Sequence, residues 1–179
     1  MTRVCVFCGS SPGNRPVYAE AARELGTLIG KRGIGLVYGG GRNGLMGIVA
    51  DAALAAGAEV TGIITEQLHD LERGHSELTA MHIVDTMHER KAAMATMADG
   101  FIALAGGYGT LEELCEMITW TQLGIHDKRC VAVNTEGYFD PLIAQFDRAV
   151  DDGFLRPAAR GIFISVDTAS AAIGLFATR

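Results

Sequence analysis

Ile34-Gly35-Leu36-Val37-Tyr38-Gly39-Gly40-Gly41-Arg42-Asn43-Gly44-Leu45-Met46-Gly47 changes character twice within a short span. Ile34–Tyr38 is a short apolar run bounded by glycine, the pattern of a buried strand. The glycines end it. From Leu45 the apolar residues return at helical spacing, as Leu45, Met46, Val49, Ala52, Ala53 and Ala56, and Gly57 stops them. Strand, glycine-rich loop and helix in that order form the building unit of an open parallel sheet. The same unit recurs on either side. Before it, Val4–Cys8 runs into Gly9-Ser10-Ser11-Pro12-Gly13, then into Val17, Ala21, Leu25, Leu28 and Ile29, stopped by Gly33. After it come the strand-like runs Val60–Thr65, Met81–Asp85, Gly100–Ala105, Cys130–Asn134 and Gly161–Val166. Helical stripes lie between them: Met87, Lys91, Met94 and Ala98; Leu111, Leu114, Cys115 and Ile118; Leu142, Phe146 and Val150; and a last helix over Thr168–Ala177. Only Glu66–Ala80 lacks clear periodicity, and it reads as a polar loop or irregular helix over the ligand site.

These alternations predict one parallel sheet of about seven strands with helices on both faces. The right-handed crossover makes it a doubly wound, Rossmann-like α/β fold. The chain has 179 residues, and at ~150 residues per domain it reads as a single domain over 1–179. Apolar residues make up 49% and charged residues 20%, which excludes a disordered chain. Twenty-three glycines exceed the usual share, without the Gly-X-Y period of collagen. The net charge of −6 lacks the basic footprint of a nucleic-acid binder. No apolar run is long enough to span a membrane. Met1-Thr2-Arg3-Val4-Cys5 has no signal-peptide architecture, and a reducing, cytoplasmic compartment is expected. Cys5 and Cys8 form a C-x-x-C inside a strand, where positions three apart point to opposite faces, so packing explains them better than redox or zinc chemistry.

In such a sheet the ligand crevice lies beyond the carboxyl ends of the strands, and four features fall there. Cys8-Gly9-Ser10-Ser11-Pro12-Gly13 offers close backbone approach and hydroxyl donors around Ser10, although turn chemistry alone favours the same residues. Gly39, Gly41 and Gly44 match G-x-G-x-x-G between strand and helix, with Glu59 or Glu66 as candidate ribose acids, which keeps an NAD-dependent oxidoreductase open. The less specific reading is a helix amino terminus suited to an anion. Ala105-Gly106-Gly107-Tyr108-Gly109-Thr110-Leu111-Glu112-Glu113 opens a second glycine loop onto a helix. Two such loops on one crevice suit a phosphate and a sugar held by backbone. The P-loop pattern is absent. Finally, Thr86-Met87-His88-Glu89-Arg90-Lys91 sets two cations in the opening of a helix, the end the macrodipole disfavours for them. A bound anion accounts for them, and so does a solvated surface pair.

Arg90 and Glu113 each follow a strand at the same sheet edge, and neighbouring strands lie ~4.8 Å apart. If those two strands are neighbours, both side chains reach one ligand. Glu113 has a second explanation. Thr110-x-x-Glu113 has capping-box spacing, as does Thr86-x-x-Glu89, and a cap needs no catalysis.

Taken in order, Val4–Ser11, Gly39–Gly47, Met87–Lys91, Gly106–Glu113, Ile118-Thr119-Trp120, Gln122–His126 and Gly137-Tyr138 resemble the LOG ("lonely guy") family. Its members are cytokinin riboside 5′-monophosphate phosphoribohydrolases, often mislabelled lysine decarboxylases. The resemblance implies hydrolysis of the N-glycosidic bond of an adenosine 5′-monophosphate, prenylated or not, to free base and ribose 5-phosphate. It implies Arg90 and Glu113 as catalytic residues. It implies substrate contacts at Lys91 and Gly107 through Glu112, with Glu72 as a further glutamate from the loop before the fourth strand. It also implies a homodimer. Ala105 stands where the family motif has proline. Gly106, Ser10 and Gly41 join the candidate contacts from their places in the glycine loops.

The chemistry is consistent with that assignment. A departing base leaves positive charge on the sugar, which a Glu113 carboxylate stabilises while it orients or deprotonates water. Arg90 is too weak an acid to give up a proton and is assigned to phosphate, ribose or the leaving base. The Gly107 and Gly109 amides and the Thr110 hydroxyl suit the 5′-phosphate. No metal or cofactor is expected. His69, His75, His82, His88 and His126 lack ligand spacing, and Lys31, Lys91 and Lys128 sit in no pyridoxal motif. A non-catalytic nucleotide-binding module is the other competitor. Met87, Met94 and Met97 suit either a dimer surface or a core stripe.

Overall fold

A computed structural model describes residues 1–72 and 75–176, with the backbone alone for residues 70–72. Along β1 (Arg3–Phe7) and into Cys8 the side chains alternate between two buried clusters. Val4, Val6 and Cys8 join one; Cys5 and Phe7 join the other. This is the period of an extended strand, and the run is apolar throughout because both faces are covered. The two C-x-x-C thiols therefore lie on opposite sides of the sheet, and burial pushes both well above the ordinary thiol range.

The remaining elements are α1 (Pro16–Lys31), β2 (Gly35–Tyr38), α2 (Gly44–Ala55), β3 (Val60–Thr65), α3 (Glu66–Glu72), β4 (Ala80–Val84) and α4 (Met87–Met97). After them come β5 (Gly100–Ala103), α5 (Tyr108–Gln122), β6 (Arg129–Val133), a 3₁₀ turn (Thr135–Gly137), α6 (Asp140–Asp151), α7 (Pro157–Arg160), β7 (Phe163–Val166) and α8 (Ala169–Gly174). The seven strands form one sheet in the order β4-β3-β2-β1-β5-β6-β7. Every pair is parallel. The chain winds outward from β1 to β4, then returns and lays β5 on the other side of β1, pairing Val4 with Gly100 and Phe7 with Ala103. The crevice of a doubly wound sheet opens at that reversal.

On one face α1, α2 and α8 bury Leu25, Ile29, Val49, Ala53 and Ile173 against Val4, Val6 and Leu36. On the other, α4 and α5 bury Met94, Leu114 and Met117 against Phe7 and Phe101, whose rings stack 5.8 Å apart. Two glycines set the approach of α1 to α2. A Cβ at Gly26 would overlap the Val49 carbonyl, and one at Gly30 would overlap Ala56.

The expected strands are all present, some shortened at their ends. The aperiodic stretch begins with a helix, α3. Neither α7 nor the 3₁₀ turn was foreseen, because elements this short carry no readable period. The condition set above for Arg90 and Glu113 is not met. The strands before Arg90 and Glu113 are not neighbours: β4 is the sheet edge, and β3, β2 and β1 separate it from β5.

Candidate active site

Arg90 and Glu113 meet nevertheless. Helix α4 starts beside the edge strand β4 and packs across β3, β2 and β1, so its first turns carry side chains toward the middle of the sheet. Its start is fixed by a true capping box. The Thr86 hydroxyl accepts from the Glu89 N–H at 3.1 Å, and the Glu89 carboxylate accepts from the Thr86 N–H at 3.2 Å. Arg90, 7% exposed, then reaches inward. Its Nε donates to the Ile63 carbonyl at 2.9 Å and its Nη2 to the Gly39 carbonyl at 3.4 Å. Its Nη1 stands 3.4 Å from the Glu113 carboxylate. The glycine at 39 is required by this approach, since a Cβ there would overlap the guanidinium. Arg90 is thus a buried, directed cation and not a solvated surface charge.

Glu113 does not cap its helix. The N-cap of α5 is Gly107, with no side-chain cap bond, so Thr110 and Glu113 both lie inside the helix. The capping-box reading of this pair is therefore corrected; only Thr86 and Glu89 form one. Glu113 is 8% exposed. Burial pushes its carboxyl up to about 7, against a lowering by Arg90. A carboxylate held near neutrality by desolvation beside one cation has the properties of a general base.

The pair borders a cavity of about 200 Å³, lined also by Cys8, Ser10, Met46 and the opening of α5 from Gly107 to Thr110. A second recess of about 300 Å³ adjoins it, sharing Gly9, Ser10 and Gly107 and walled by Tyr18 and Tyr138. Both lie beyond the carboxyl ends of β1 and β5. Gly107 and Gly109 have open space where a side chain would be. Gly106 is held close, because a Cβ there would overlap the Thr110 hydroxyl. Tyr108 is 94% exposed at the rim.

Other candidates stand apart. Leu111 packs on the core beside α4 and α5. Lys91 turns away from the cavity: its Nζ pairs with Glu112 and, at 3.1 Å, with Glu116, tying α4 to α5. Gly41 is buried and lines neither recess. Glu72 ends α3, and its side chain lies outside the described residues. In the Gly39–Gly47 loop the spacing of the glycines has internal causes. Gly39 admits Arg90, Gly44 abuts the Ser10–Ser11 backbone and Gly47 abuts the Arg42 carbonyl. None of the three lysines lines the two recesses; Lys128 donates to the Ala95 carbonyl at 2.7 Å. His75 is buried and bonds Asp51 at 2.8 Å. Among the described residues, no helix is long and apolar enough to cross a membrane.

Sequence reasoning missed Glu116 and gave no role to Tyr138. Glu116 was legible in principle, because it follows Glu112 by one helical turn and so shares its face. Tyr138 follows a different strand, and nothing local ties it to the loop after β5.

Fold and site together define a doubly wound α/β protein with a buried carboxylate–guanidinium pair at the sheet's reversal, beneath an anion-suited helix amino terminus. A family model described as "Possible lysine decarboxylase" matches residues 46–176. Named relatives match more of the chain. A cytokinin riboside 5′-monophosphate phosphoribohydrolase of Arabidopsis thaliana is 51% identical over 167 residues, covering 93% of this chain and 78% of its own. A second from the same plant is 52% identical, covering 93% and 73%. A rice (Oryza sativa subsp. japonica) chain named as a probable enzyme of this kind is 52% identical, covering 93% and 75%. The chain belongs to this family, the LOG family. Among solved structures, the structural-genomics target TM1055 superposes with a TM-score of 0.74 at 22% identity, covering 98% of both chains. A molybdenum cofactor binding protein from Rippkaea orientalis gives 0.73 at 20% identity, covering 97% of this chain and 94% of that one. These two likenesses concern the fold.

Proposed function

We propose that this chain hydrolyses the N-glycosidic bond of adenosine 5′-monophosphate and its N6-prenylated forms, releasing the base and ribose 5-phosphate. The observation that carries this reading is the buried Glu113 carboxylate, 3.4 Å from the Arg90 guanidinium, on the wall of a cavity rimmed by the start of α5. The names of relatives 51–52% identical support the substrate class.

Cleavage of the C–N bond builds positive charge on the ribose. Glu113 stabilises that charge and takes a proton from the attacking water, whose oxygen bonds to the sugar; the base leaves with the C–N electron pair and is protonated, so one proton is taken from water and one is given to the base. A carboxyl titrating at about 7 is matched to this task at neutral pH. Arg90 acts through its charge and its N–H groups. It orients Glu113 and keeps unused N–H donors for a ribose or phosphate oxygen. The amides of Gly107 and Gly109 and the Thr110 hydroxyl, at the positive end of a 15-residue helix, hold the 5′-phosphate. Ser10 borders both recesses and supplies a hydroxyl contact. Lys91 steadies α4 against α5. Two copies assemble as a homodimer in the cytoplasm; exposed Leu123, Ile125 and Met87 and four free cysteines are consistent with that.

The test is chromatography of products after incubation with AMP and with isopentenyl-AMP. Free base and ribose 5-phosphate are expected from at least one. Tight nucleotide binding without release of base would make the chain a nucleotide carrier instead.

A further inference from the structure

The turn between β6 and α6 is built at a conformational cost. Glu136 has φ 50° and Gly137 φ 73°, two successive left-handed residues, and Glu136 is the one described non-glycine residue with positive φ. A non-glycine residue in that region is strained, and such strain persists only where its surroundings impose it. Here they do. Arg15 pairs with Glu136. The Asn134 side chain accepts from the Phe139 N–H at 2.7 Å and donates to Asp140 at 2.8 Å. A side chain at 137 would overlap Asp140.

The product of this construction is the position of Tyr138. Its ring packs edge-on against Tyr18 at 5.5 Å and against the buried Phe139 at 5.2 Å. Its hydroxyl donates to the Gly106 carbonyl at 2.5 Å. That carbonyl belongs to a peptide unit with two consequences. The unit joins two glycines, so no side chain on either residue restrains its orientation. It is also planar and trans, so its N–H, that of Gly107, points opposite to the carbonyl. Fixing the Gly106 carbonyl on Tyr138 therefore turns the Gly107 N–H away from Tyr138. Gly107 borders the cavity of Arg90 and Glu113, which neither Gly106 nor Tyr138 lines. As N-cap of α5, Gly107 has an N–H that the helix does not use.

We infer that Tyr138 is a positioning residue. Through the Gly106 carbonyl, its hydroxyl locks the Gly107 amide in the orientation that receives the substrate's phosphate. Tyr138 lies outside the cavity of Arg90 and Glu113 and acts through the Gly106–Gly107 peptide unit. The inference rests on the proposed function and adds to it the residue that organises the phosphate cradle.

Tyr138→Phe tests it, because it keeps both ring contacts and removes only the hydroxyl. The expected result is a KM for AMP raised about five- to tenfold with kcat within about twofold, the pattern of lost uniform binding. By calorimetry, the affinity for ribose 5-phosphate falls by the same factor while that for adenine is unchanged. Unaltered affinity for ribose 5-phosphate, or an equal loss for adenine, overturns the inference. The two readings fail separately. A parent protein that releases no base from AMP sinks the enzymatic reading, while a lower affinity for ribose 5-phosphate in the variant still upholds the lock. A parent that is active but whose kcat/KM for AMP is no higher than that of Tyr138→Phe sinks the lock alone.

Discussion

At Glu113 one side chain shows what decides function at the scale of a residue. Its spacing from Thr110 is that of a cap, yet the helix begins earlier, at Tyr108, and leaves it no capping to do. A buried carboxyl without a structural task costs stability. Its proton is bound more tightly in the folded chain, at about 7 against 4.5. Its contribution is therefore greatest below the unfolded value and is lost as pH rises through about 7. Glu113→Gln should lower turnover ~100-fold or more, with a melting temperature close to the parent's at about pH 5 and above it at neutrality. The melting temperature of the variant should gain on that of the parent between about pH 5 and pH 8; a constant difference would show that Glu113 does not titrate there. For the parent, kcat should rise with pH up to about 7 and then level, because the ionised carboxylate is the base. A profile flat from about pH 5 to 8 would remove Glu113 from that role.

At the scale of elements, two sequences with the same spacing behave differently. Thr86-x-x-Glu89 caps α4 reciprocally, whereas Thr110-x-x-Glu113 lies within α5. The difference is what precedes them. Asp85-Thr86 follows a strand directly, but Gly107-Tyr108-Gly109 enters the helix before Thr110 is reached. Thr86→Ala should cost about 1 kcal/mol, measured by urea unfolding. Because the first turn of α4 also aims Arg90, a modest fall in kcat/KM should accompany it; stability equal to the parent's would contradict the cap. Period and glycine punctuation made the long elements legible. They left α3 open between loop and irregular helix and failed for α7 and the 3₁₀ turn, all too short to repeat a pattern, and for the turn's left-handed Glu136, which only its tertiary partners sustain.

Across the whole molecule, the helices carry the site to its place. The strands leading to Arg90 and Glu113 are separated by three others, and α4 spans that distance across the sheet. The opposite face depends on the close approach of α1 and α2 at Gly26 and Gly30. Gly26→Ala puts a methyl group into the Val49 carbonyl. It should destabilise by about 1–3 kcal/mol in urea unfolding. Turnover of the folded fraction should stay near that of the parent, because this interface lies on the far side of the sheet from α4 and α5; a loss of kcat at full folding would show that the two faces are coupled. The sequence by itself determined the strand–helix alternation, the two-faced burial of β1 and the gathering of glycine loops and basic residues at one sheet edge. All of these are set by local periodicity and backbone freedom. The order of strands, the meeting of Arg90 with Glu113, the clamp of Lys91 by Glu112 and Glu116 and the bond from Tyr138 to Gly106 were decided by the tertiary structure. Each joins residues whose encounter depends on how separate elements pack, and no spacing along the chain records that.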